Sequence, residues 1–204
     1  GAMLCAGGGL IPSTFAQILA ATAVSISYIN IVGGFRITQR MLNMFRRPTD
    51  PPEYQAYWAA PAIGFPAGLA YLQSTGAVNM YEMGYLAAGL FCIMSLGALS
   101  SQGTARLGNT LGIMGVGWGV FSALLYMQGV NTPIEVFAQL GMCSLVGGGI
   151  GLTIANKISP MDLPQLVAAF HSLVGMAAVL TCWASHLEHC AHFATDPMAD
   201  IHMD

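Results

Sequence analysis

From Leu163 to Ala184 the chain carries no formal charge, and only Gln165, His171, Ser172 and Thr181 interrupt its apolar run. A run of that length is enough to cross a hydrocarbon core of roughly 30 Å, which takes about 20 helical residues at 1.5 Å each. It therefore predicts a membrane-crossing helix. Pro164 falls in the first turn, where its missing N–H leaves no bond unmade, and Asp162 stands just ahead as a cap. His171 lies about eight residues, roughly 12 Å, into the helix.

The rest of the sequence has the same character. Of 204 residues, 55% are hydrophobic and only 7% charged, against about 25% charged in an ordinary soluble domain. So few charges cannot clothe a soluble exterior, and the fold class expected is an all-α, polytopic transmembrane helix bundle in a lipid bilayer. A net charge of −3, with no basic patch interleaved with aromatics, excludes nucleic acid as a partner. The five cysteines show no C-x-x-C spacing, and Cys92, Cys143 and Cys182 fall inside apolar runs, where a thiol behaves as a small hydrophobe. No charged leader opens the chain, so no signal peptide is read.

Apolar runs separated by polar turns give about six spans, at about 13–35, 61–73, 80–100, 110–130, 134–155 and 163–185. The first runs on into a basic amphipathic segment, Arg36 to Arg47, with Ile37, Met41, Met44 and Phe45 on one side. Three prolines within Pro48–Pro52 then break the helix, so 36–60 reads as a basic, proline-rich linker. The second span is short and interrupted by proline. Residues 186–204 read as a polar C-terminal tail.

Because spans alternate sides, these six place all six basic residues, Arg36, Arg40, Arg46, Arg47, Arg106 and Lys157, on one side. The positive-inside rule makes that the cytoplasmic or mitochondrial-matrix side.

Few residues could carry chemistry. Ionisable groups inside a membrane are expensive and mark pathways by default, and imidazole titrates nearest neutral pH. His171 is thus a proton-relay candidate, against the alternative of a neutral histidine satisfied by one hydrogen bond. Ser172 beside it and Asn30 in the first span complete the proton-pathway candidates. His171, Gly175 and Ala178 share a helical face, which another helix could approach closely.

His186, Glu188, His189, Cys190 and His192 gather near the end of the same helix. Cys182 with His186, or His186 with His189, has one-turn ligand spacing, but a polar helix end accounts for the cluster without a metal. No second deep histidine exists to hold a haem. Gly64/Gly68, Gly108/Gly112, Gly115/Gly119 and Gly147/Gly151 have small-residue packing spacing. No triad, phosphate loop or dinucleotide loop can be assembled, so no catalytic, metal or cofactor-binding residue is assigned.

Three stretches resemble a known family. They are Gly33 to Tyr54 (GGFRITQRMLNMFRRPTDPPEY), Gln102 to Gly112 (QGTARLGNTLG) and Asp162 to Leu180 (DLPQLVAAFHSLVGMAAVL). Together they look like the membrane domain of proton-translocating nicotinamide nucleotide transhydrogenase, in the arrangement of the single-chain mitochondrial form. The resemblance implies a proton channel containing His171, coupled to hydride transfer from NADH to NADP⁺ between soluble domains outside the membrane. Family members carry an NAD(H)-binding domain before the membrane part, an NADP(H)-binding domain after it, and more spans beyond the histidine helix. NAD(H) and NADP(H) are expected on those parts, with this chain resembling the first half of the membrane domain and unable to transfer hydride alone.

Two functions follow as expectations. The favoured one is an accessory, structural subunit of a larger inner-membrane assembly, of respiratory-chain type, alongside other membrane subunits. The alternative is the proton-conducting membrane segment of a working transhydrogenase. The mitochondrial inner membrane, with basic loops in the matrix, is the expected location, and the bacterial inner membrane the alternative.

Overall fold

Six α-helices make up the computed structural model, which describes residues 2–3, 5–48, 55–76, 79–159 and 162–195. They are α1 (Phe15–Met44), α2 (Gln55–Ser74), α3 (Met80–Leu99), α4 (Ala105–Gly129), α5 (Ile134–Lys157) and α6 (Leu163–Thr195), with no strand among the described residues. Five of them, all but α2, are long and apolar enough to cross a membrane. The exteriors agree, since large apolar side chains such as Leu86, Ile93, Leu96, Leu145 and Val179 stand exposed along their lengths. A surface of that kind is stable facing hydrocarbon, where exposed leucine costs nothing.

Several boundaries differ from the sequence expectation. The first span runs on into the basic segment as expected, but α1 is helical to Met44, so residues 36–44 belong to it and not to a linker. Helix α4 starts at Ala105, so Arg106 and Asn109 belong to it rather than to the preceding turn. Helix α6 runs to Thr195, so residues 186–195 are helical and not tail. The proline-rich break at 49–54 and the chain from 196 on lie outside the described residues.

Helix α2 is the main difference. It begins at Gln55, not Pro61, and passes through both Pro61 and Pro66. A proline inside a helix removes the bond to the carbonyl four residues back, which for Pro66 is that of Ala62. That oxygen is taken by the indole of Trp118, whose Nε1 donates to it at 3.3 Å. In a dry environment such replacement is what lets a proline persist in a helix.

The chain divides into two compact units, residues 1–36 with 133–204, and residues 37–132. In the second, α3 and α4 form an antiparallel hairpin sealed by small residues. A Cβ at Gly108 would collide with Leu99 and the Ser95 carbonyl, and one at Gly115 with Cys92 and the Ala88 carbonyl. Ser95 Oγ donates to the Gly108 carbonyl at 2.6 Å. Trp118 fills the core between Phe65 and Phe91, each ring centroid 4.4 Å from its own. Gln73 ties α2 to α4 by donating Nε2 to the Leu125 carbonyl at 3.1 Å.

In the first unit, Thr14 and Gln17 start α1 as a reciprocal cap. The Gln17 amide N–H donates to Thr14 Oγ1, and Gln17 Oε1 accepts from the Thr14 N–H, the pattern that a Thr-x-x-Gln sequence encodes. Gly147 and Gly151 of α5 lie directly on the backbone of Ser25 and Ile29 of α1. Further along the same pair, Arg36 Nε donates to Asn156 Oδ1 at 2.9 Å. Helix α1 also meets α6, where Phe170 packs over Gly33 and where Leu19 and Ala20 join Ala184 and Cys5.

Candidate functional site

Helix α6 buries Leu166, Phe170, Ala177 and Ala184, a spacing that defines one helical face. His171 follows Phe170 by one residue, about 100° around the helix, so it is not on that face. Its side chain is exposed, and so are Gly175 and Ala178. Nothing lies within 4 Å of where a Cβ on Gly175 would stand. The face shared by His171, Gly175 and Ala178 is therefore open, flanked by exposed Val167, Val174 and Met176.

The imidazole is oriented by its own helix. Nδ1 lies 2.8 Å from the Val167 carbonyl oxygen. A carbonyl can only accept, so Nδ1 carries the hydrogen and Nε2 presents a lone pair. Nε2 is where an incoming proton would add. Ser172 Oγ donates to the Ala168 carbonyl at 3.1 Å, leaving its oxygen lone pairs for another donor. Both side chains use one bond to their own backbone.

Asn30 lies in α1, half-buried, about one turn before the Gly33 on which Phe170 packs. No hydrogen bond joins Asn30 to His171 or Ser172 among the described residues. The structure brings the histidine and serine onto adjacent positions of one helix and places the asparagine on a helix packed against it.

The second cluster is looser. Cys190 Sγ is 3.5 Å from His186 Nε2, both exposed. The side chain of His192 lies outside the described residues. Among those that are described, no three His, Cys, Asp or Glu side chains converge as metal ligands.

Two buried polar groups were not singled out from sequence. Gln139 of α5, 3% exposed, donates Nε2 to the Gly7 carbonyl at 3.4 Å while its Oε1 has no partner. Asn109 of α4, 6% exposed, lines a cavity together with Arg106. The signal for both was available: each sits on the packed face of its helix, where an apolar residue is the norm.

Long apolar helices, five of them able to cross a membrane and carrying large exposed hydrophobic side chains, define a polytopic helical membrane protein. Residues 81–203 match the family model of the NAD(P) transhydrogenase beta subunit, and residues 1–47 match that of the 4TM region of (mitochondrial) pyridine nucleotide transhydrogenase. The first match alone spans more than half of the chain, which thus belongs to the NAD(P) transhydrogenase beta subunit family. Two relatives from Rhodospirillum rubrum, both named NAD(P) transhydrogenase subunit beta, are each 43% identical over 96 residues. That segment is 47% of this chain but 20% of each relative, so the chain spans about a fifth of their length.

Proposed function

We propose that this chain is a proton-conducting part of the membrane domain of an NAD(P) transhydrogenase, with His171 as the residue that takes up and releases the proton. The observation that carries the reading is the orientation of His171. It sits about two turns into α6, in a stretch without formal charge, with Nδ1 held by its own backbone and its side chain exposed. A histidine kept only for packing would place both nitrogens against partners of its own bundle. The open face suits a further spanning segment, or a water-filled path, completing the channel beside Nε2. Membership of the family favours this over an accessory role in a respiratory-chain assembly, for which the helices offer no separate argument. NAD(H) and NADP(H) would then be held by nucleotide-binding domains outside the bundle, and the 4TM match at 1–47 favours a mitochondrial inner membrane.

The test uses the complete transhydrogenase carrying this sequence, reconstituted in vesicles and assayed for proton uptake coupled to hydride transfer. His171→Ala should lower both by about a hundredfold, the scale of a lost acid–base group. His171→Ala with pumping unchanged and the assembly intact would return the histidine to a structural role and favour the accessory reading.

A further inference from the structure

Within the unit formed by residues 1–36 and 133–204, Gln139 of α5 is a polar side chain only 3% exposed. One end of its carboxamide is used. Nε2 donates to the Gly7 carbonyl at 3.4 Å, a long bond against the usual spacing of about 2.9–3.0 Å. The other end is not, since Oε1 is buried without a partner. A buried acceptor left unmet is costly, and in a bundle surrounded by lipid its partner must come from within.

Gln17 of α1 stands against the same glycine. Its Oε1 is committed to the start of α1, accepting from the Ser13 and Thr14 N–H groups and from Ser13 Oγ. Its Nε2 makes no hydrogen bond among the described residues, and lies 2.8 Å from where a Cβ on Gly7 would stand. Two carboxamides thus meet Gly7, one with an acceptor that lacks a donor and one with a donor that lacks an acceptor. They do not bond each other, because Gln139 Oε1 has no partner.

The group that satisfies both has to donate and accept at once. A cation would suit the oxygen and be repelled by the N–H, and an anion the reverse, whereas water serves both. Buried waters make about three bonds to polar groups the protein leaves unpaired. The third is offered by the Gly7 carbonyl, whose oxygen has a second lone pair.

We propose that a water molecule is bound at Gly7, accepting from Gln17 Nε2 and donating to Gln139 Oε1 and the Gly7 carbonyl, so that it ties α1 to α5. The site does not involve His171 and stands whether or not that residue conducts protons.

The experiment places the purified, uniformly ¹⁵N-labelled full chain in lipid bilayers and follows magnetisation transfer from water protons to amides by solid-state NMR, at mildly acid pH where chemical exchange is slow. Transfer to the Gln139 side chain should be several-fold faster than to the backbone amide of Leu140, its neighbour at 2% exposure. Gln139→Met keeps the side-chain length but removes both polar groups, and should slow transfer to the Gln17 side chain several-fold. Thr153→Val, farther along α5, should leave it unchanged. Transfer to Gln139 as slow as to Leu140 would overturn the proposal, whether the oxygen is then dry or met by another part of the protein. Unchanged transfer to Gln17 in Gln139→Met would also overturn it, because that amide would then see bulk water alone. Equal slowing by Thr153→Val would do the same, since the effect would not belong to this site. If Gln139→Met does not fold, the comparison of Gln139 with Leu140 in the unaltered chain still decides.

Discussion

His171 and Cys5 are titratable side chains in opposite settings. The imidazole is exposed, with Nδ1 committed to the Val167 carbonyl of its own helix. The Cys5 thiol is closed in, packed with Leu19, Ala20 and Ala184. Burial first, and the nearby Glu188 carboxylate second, push it from 9.0 up to about 11. Both causes penalise the thiolate, the only form that reacts with alkylating agents. Near pH 8, Cys5 in the folded chain should therefore react with iodoacetamide about a hundredfold more slowly than in the unfolded chain. Mass spectrometry of timed digests reads this, and equal folded and unfolded rates would refute the burial. The sign for stability follows. The folded chain holds the thiol proton more tightly, so this contribution is whole below about pH 9 and is lost as pH rises through about 11.

At the scale of the helices, glycine position decides which elements can meet. Along α5, Gly147 and Gly151 lie on the α1 backbone, while Gly149 has nothing within 4 Å of its would-be Cβ. The same substitution should therefore have opposite signs two residues apart. Gly151→Ala forces a methyl into the Ile29 carbonyl, which cannot yield as a flexible side chain would, and should destabilise by about 1–3 kcal/mol. Gly149→Ala meets open space and should stabilise by about 0.5–1 kcal/mol through helix propensity. Unfolding titrations in mixed micelles measure both, and equal shifts would remove the packing argument.

The spacing of these glycines made three of the four motifs legible in the sequence, since Gly108, Gly115 and Gly147 all sit at tight contacts. Gly64 and Gly68 have the same spacing and touch nothing, because spacing says that a helix could come close and not that one does. Periodicity likewise gave the long apolar helices but misplaced α2, where Pro61 and Pro66 read as breaks. The compensation lies in Trp118, more than fifty residues away, and no local rule reaches that far. His171 stood out from sequence as a lone ionisable group, but its open face depends on which side of α6 meets α1. That choice was made by Phe170 and Gly33.

For the whole molecule, the pairing of α1 with α5 fixes the path of the chain. Ser25 meets Gly147, Ile29 meets Gly151 and Arg36 meets Asn156, so the two helices run parallel. Parallel spanning helices start on the same side, which requires an odd number of crossings between them. Helices α3 and α4 would supply two and a crossing α2 the third, although α2 is the one helix whose composition falls short. Its 20 residues reach about 30 Å, which suffices. A crossing α2 would put all six basic residues on one side, whereas a surface-lying α2 would put Arg106 and Lys157 opposite Arg36. Cysteines introduced singly into a cysteine-free background separate the two paths. Phe45→Cys, Gln102→Cys and Ser159→Cys should react with an impermeant maleimide from one side of sealed vesicles, and Thr75→Cys and Thr132→Cys from the other. The decisive pair is Phe45 and Thr75, which flank α2. If they react from the same side, α2 does not cross, and α1 and α5 could not then run parallel through one membrane.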